Sequence, residues 1–148
     1  MSGILDLAKF NYRKLSTEEK IKLLNELRAK LEAVNDVSFA YVYGGFIERD
    51  FFRDLDVAVW LKNPSEAFHY AVDFSAKLEI EMKVPVDLQV LNQAPLPFKF
   101  HVFTKGKLLF SKDEKLRAEL ADEIIREYLD LKQLDIYSTT HQSPRQAV

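Results

Sequence analysis

Residues 44–56 read GGFIERDFFRDLD: two adjacent glycines and then, nine residues after the second, Asp-Leu-Asp. A third aspartate, Asp87, stands inside VPVDLQVL, residues 84–91. Side chains two apart on a strand share a face. Asp54 and Asp56 therefore point one way with Ala58 and Trp60, while Leu55, Val57, Val59 and Leu61 point the other. At a rise of about 3.3 Å per residue the two carboxylates stand about 6–7 Å apart. In a partly buried cleft they would repel, and a divalent cation relieves that repulsion. Hard carboxylate oxygens suit Mg²⁺, which fills its octahedron with water and substrate phosphates. Asp87 lies between residues whose apolar side chains (Val86, Leu88, Val90) face the opposite side, and an unpaired aspartate in a strand is costly. A third carboxylate on a neighbouring strand completes a site for two metal ions, which stabilise the attacking and leaving oxygens of a displacement at phosphorus. The plainer reading of an Asp-x-Asp is a surface strand or a turn end.

Gly44 and Gly45 are half of the chain's four glycines. Glycine permits positive φ and close approach of a ligand to the backbone, and amides at the start of a helix attract phosphate. Read alone, the pair is a tight turn. Read with the carboxylates downstream, it is a phosphate turn feeding a metal-binding strand.

These residues must be positioned by the elements around them. STEEKIKLLNELRAKLEAV, residues 16–34, has capping-box spacing at Ser16 and Glu19 and an apolar stripe of Ile21, Leu24, Leu27, Leu31 and Val34. VSFAYVY, 37–43, reads as a buried strand, with Tyr41 and Tyr43 in the core. FIERDFF reads as a short helix and DLDVAVWL, 54–61, as the second strand. Asn63 and Pro64 open a helix that runs to 82. VPVDLQVL is the third strand. A short helix ended by Gly106, an edge strand at 107–110 and a last helix at 112–134 follow. That helix carries Leu116, Leu120, Ile124, Tyr128 and Leu131 on one face. The fold class is α/β (α+β), a small mixed sheet of about four strands with flanking helices. One domain is expected over 1–137, with a polar tail at 138–148.

Composition narrows the function. The net charge is −2, with 47% apolar and 30% charged residues, so no general attraction to nucleic acid or an anionic membrane is expected. The absence of cysteine excludes a disulfide framework, a zinc–thiolate site and cysteine catalysis. No apolar run reaches the length of a membrane span, and MSGILDLAKF is too polar for a signal peptide. A cytoplasmic location is expected. His69, His101 and His141 lack metal-ligand spacing, and Trp60 reads as sheet-face packing.

A strand, a Gly-Gly turn, a loop, Asp-x-Asp and a later strand aspartate resemble the nucleotidyltransferase fold of the DNA polymerase β superfamily. The resemblance covers about 37–91 at motif level. The closing GKLLFSKDEKLRAEL and IIREYLDLK are similar to minimal nucleotidyltransferases that act as antitoxins to HEPN ribonuclease toxins. The resemblance implies that Gly44 and Gly45 hold the triphosphate, that Asp54 and Asp56 ligate Mg²⁺, and that Asp87 helps activate the attacking hydroxyl. It further implies ATP as substrate and AMP transfer to a tyrosine of a HEPN partner. The small size favours a protein acceptor or a homodimer completing the cleft. Alternatives are an antitoxin that neutralises its partner by binding alone, and transfer to a small molecule. The stretch departs from the family pattern: relatives frequently carry Gly-Ser, whose hydroxyl helps bind phosphate, where Gly45 stands. The loop also lacks a third glycine and is slightly short. Arg49 or Arg53 could supply the missing contact, although a solvated face or a salt bridge to Glu48 or Asp50 is the ordinary role of such arginines.

Overall fold

A computed structural model describes residues 12–146, with side chains described to residue 136. The N-terminal stretch weighed as a signal peptide lies outside these residues, and so does the side chain of His141. β1 (Arg13–Lys14) leads into α1 (Thr17–Glu32). The Ser16 hydroxyl accepts from the Glu19 amide and the Glu19 carboxylate accepts from the Ser16 amide, which is the expected capping box. Leu27 and Leu31 of α1 are fully buried, while Ile21 is exposed.

β2 (Val37–Tyr43) is buried along its whole length. α2 (Gly45–Glu48), β3 (Phe51–Phe52) and β4 (Leu55–Leu61) follow. The predicted FIERDFF helix is thus a single turn, and its last two residues form a strand that pairs with β1. That short ribbon escapes a sequence reading because two-residue strands carry no alternation to detect. A helical stretch over residues 64–82, α3, begins with the Asn63 side chain accepting from the Ser65 amide and contains a π-turn at Tyr70–Phe74. β5 (Val86–Val90), α4 (Leu96–Lys105), β6 (Lys107–Ser111) and α5 (Glu114–Gln146) complete the chain.

The main sheet has the order β5-β4-β2-β6. β4 and β5 are parallel and the other pairs antiparallel, so α3 serves as the crossover that a parallel pair requires. The sheet separates two apolar layers. Leu55, Val57, Val59 and Leu61 of β4 pack with Leu27, Leu31, Val86 and Leu88 on one side. Ala58 and Trp60 pack with Phe39, Tyr41 and Tyr43 on the other, as alternation predicts. α5 packs on this second layer through Leu120; further along it Ile124 is buried and Tyr128 stacks on Phe100, with ring centroids 3.9 Å apart. Leu131, expected on the same face, is exposed. α5 also runs past the expected end at 134. No glycine or proline interrupts 114–143, and an established helix propagates at one hydrogen bond per residue. Among the described residues no helix is long and apolar enough to cross a membrane.

Candidate active site

The carboxylates gather where β2 ends and where β4 and β5 begin. Asp56, on β4, faces Asp87 across the parallel β4–β5 register and Tyr43 across the antiparallel β2–β4 register. Asp54 lies in the bend just before β4 rather than in the strand. One carboxylate oxygen from each of Asp54, Asp56 and Asp87 lies within 4.8 Å of the other two. Gln89 Nε2 donates to Asp87 Oδ1 at 2.9 Å, so Asp87 is steadied by the residue two further along β5.

Bringing three acids together has an electrostatic cost. Asp56 is partly buried and its pKa is pushed up to about 6, first by desolvation and then by the charges of Asp54 and Asp87, with Arg53 opposing. Tyr43 is also pushed upward, by burial and then by Asp56, Asp87 and Asp54, so its hydroxyl stays protonated. The sequence reading placed Tyr43 in the core, where it is, but missed that it borders all three acids. The available signal was its position immediately before Gly44.

The glycine turn sits directly over Asp56. Gly44 adopts φ +76°, and a Cβ there would collide with Asp56 Oδ2. Gly45 starts α2, and a Cβ there would meet only ordinary contacts, at 3.9 Å. Lys20 of α1 holds the far side of the turn: its Nζ donates to Phe46 O and Arg49 O, each at 2.9 Å. This clamp joins residues 26 and 29 positions apart, so no local spacing announces it. A cavity of about 250 Å³, lined by Gly45, Arg49, Arg53, Asp54 and Asp56, opens between turn and carboxylates. A shallower depression of about 470 Å³, lined by Gln89, Pro95 and Phe98, adjoins Asp87 through Gln89. The larger cavity of about 600 Å³ lies at the other end of β4, around Trp60, Lys62 and Lys112.

A mixed sheet that presents converging acids beside a glycine turn is a scaffold suited to phosphoryl chemistry. The chain belongs to the polymerase beta nucleotidyltransferase family, whose model matches residues 25–115. No curated protein matches the chain. Among solved structures, it shares its fold with a chain of the MntA–HepT toxin–antitoxin, at a TM-score of 0.61 and 22% identity over 84% of this chain and 92% of that one. A complex of a tri-AMPylated HEPN toxin with an MNT antitoxin from Shewanella oneidensis gives 0.57 and 23%, over 86% and 93% of the two chains. A toxin–antitoxin structure with AMP-PNP gives 0.56 and 24%, over 89% and 94%.

Proposed function

We propose that this chain is an antitoxin that transfers AMP from ATP to a hydroxyl of a HEPN-type toxin, a tyrosine being the expected acceptor. The observation that carries this reading is the convergence of Asp54, Asp56 and Asp87 beside the Gly44 turn, within a nucleotidyltransferase-family domain. The donor set fits Mg²⁺: three hard carboxylates lie close enough to share a cation, and one, Asp56, is held above its ordinary range first by burial and then by the other two. Bound there, Mg²⁺ would supply charge stabilisation at the transferred phosphate.

The protein's own groups account for the rest. Gly44 lets the backbone pass over Asp56, so the phosphate chain lies against the carboxylates. Asp87 is the most exposed of the three acids and stands on the edge strand β5. It therefore meets an acceptor hydroxyl arriving from outside and takes its proton. Holding acceptor and phosphate in line supplies much of the rate enhancement in such a site. The solved relatives with toxin partners, an AMPylated toxin and AMP-PNP support the reading.

Incubating the chain with radiolabelled ATP, Mg²⁺ and a HEPN-type partner should label the partner. Asp54→Asn with Asp56→Asn should lower labelling by at least about 10³-fold, as expected when the metal-holding groups of a phosphoryl transfer are removed. Gly45, which lacks the family's hydroxyl, favours one rival: neutralisation by binding alone. That rival wins if no partner is labelled and the double variant still neutralises the toxin.

A further inference from the structure

The aspartates repel the distal end of a triphosphate, and the two glycines offer it backbone amides alone. α2 is only one turn long, and its Ile47 and Glu48 amides already donate to Gly44 O at 3.2 and 3.1 Å. Gly45 brings no hydroxyl. The positive groups at this place are side chains. A Cβ on Gly45 would stand 3.9 Å from both Nε and Cζ of Arg49, so the guanidinium lies over the position a serine hydroxyl would approach. The backbone beneath it is fixed from both sides. Arg49 N donates to Gly45 O at 3.0 Å, and Arg49 O accepts from Lys20. Arg53 lines the same cavity. Among the described residues neither arginine forms an ion pair, with Glu48, Asp50 or any other acid.

We propose that Arg49 and Arg53 bind the β- and γ-phosphates of the nucleoside triphosphate, Arg49 replacing the hydroxyl that Gly45 lacks. A cavity with guanidinium groups on one wall and carboxylates on the other fits a ligand that is anionic and carries its own cation: a metal-chelated polyphosphate. A planar guanidinium meets phosphate oxygens in a bidentate fork and stays charged at any working pH. The assignment rests on the nucleotidyltransferase reading above and adds to it the residues that select a triphosphate over a monophosphate.

Calorimetric titration of the full chain with Mg²⁺ and, separately, ATP, AMP and inorganic tripolyphosphate tests the assignment. Arg49→Gln should weaken ATP and tripolyphosphate about 10–100-fold, the loss of a charge-assisted pair, and leave AMP binding unchanged. Arg49→Lys should retain an intermediate affinity for both polyphosphates. Unchanged thermal unfolding of both variants guards against a folding defect. Arg49→Gln binding ATP as tightly as wild type, or losing AMP and ATP equally, overturns the arginine assignment alone. A wild-type chain that binds neither ATP nor tripolyphosphate overturns this assignment and the nucleotidyltransferase reading together.

Discussion

At φ +76° and ψ −154° Gly44 occupies backbone space that L-residues avoid, and the carboxylate of Asp56 fills the position of any Cβ. Gly45 lies beside it under neither constraint. The two letters are identical in sequence, yet they do different work. Gly44→Ala should cost about 1–3 kcal/mol, the usual strain of a residue held in a forbidden region, and should abolish stabilisation by Mg²⁺ because Asp56 must move. Gly45→Ala should change stability by less than about 1 kcal/mol. Urea unfolding with and without Mg²⁺ measures both. Equal losses would show that the turn needs a glycine pair for some other reason. The pair itself was legible in the sequence. The division of labour was not, because it depends on a φ angle and on an oxygen eleven or twelve residues away along the chain.

α1 looks like an ordinary amphipathic helix, and the sequence located its start correctly from Ser16 and Glu19. Its fourth residue, Lys20, reads as one more solvated charge. In the fold it ties α1 to the glycine turn through Phe46 O and Arg49 O, with its ammonium 5.2 Å from the centroid of Phe46 and 5.9 Å from that of Phe52. Those two rings are themselves buried edge to face, 4.8 Å apart. Lys20→Met should cost about 1–2 kcal/mol, from two hydrogen bonds to carbonyls and a cation–π contact. Amide hydrogen exchange should quicken in residues 46–52 while β2 and β4 stay protected. Exchange that rises uniformly across the sheet would point to loss of α1 packing, not to release of the turn. The elements were predictable because their signals are local: caps, alternation and helical stripes. The β1–β3 ribbon and the Lys20 clamp are contacts between distant segments and have no local signal.

For the molecule as a whole, the acidic cluster carries an electrostatic cost that a bound cation would relieve. Asp56 has its folded pKa raised from the ordinary 3.8 to about 6. A raised carboxylate binds protons more readily in the folded than in the unfolded chain between those values. The metal-free protein therefore gains stability as pH falls from about 6 toward 4 and carries the full penalty above 6. Allowing for partial exposure, that penalty is about 1 kcal/mol at pH 7. Asp56→Asn should stabilise the metal-free protein by about that amount at pH 7, and the advantage should fade as pH drops from 6 to 4. Mg²⁺ at pH 7 should stabilise the wild type and not the variant. Thermal unfolding across pH, with Mg²⁺ and with a chelator, measures all three effects. A variant less stable than wild type without metal would mean that Asp56 holds the sheet together.

The choice of candidate residues, the alternation that puts Asp56 with Ala58 and Trp60 on one face, and the order of the main helices and the four strands of the larger sheet all came from the sequence alone, because they follow from residue types and short periods. Three things belong to the tertiary structure. The parallel pairing of β4 with β5 sets Asp87 directly opposite Asp56, and 31 positions of chain separate them. The bend before β4 swings Asp54 in to join them. The cavity beside Gly45 takes two arginines as its wall. Strand register and loop path are settled by which apolar faces bury together across the whole domain, and no short window of sequence contains that choice.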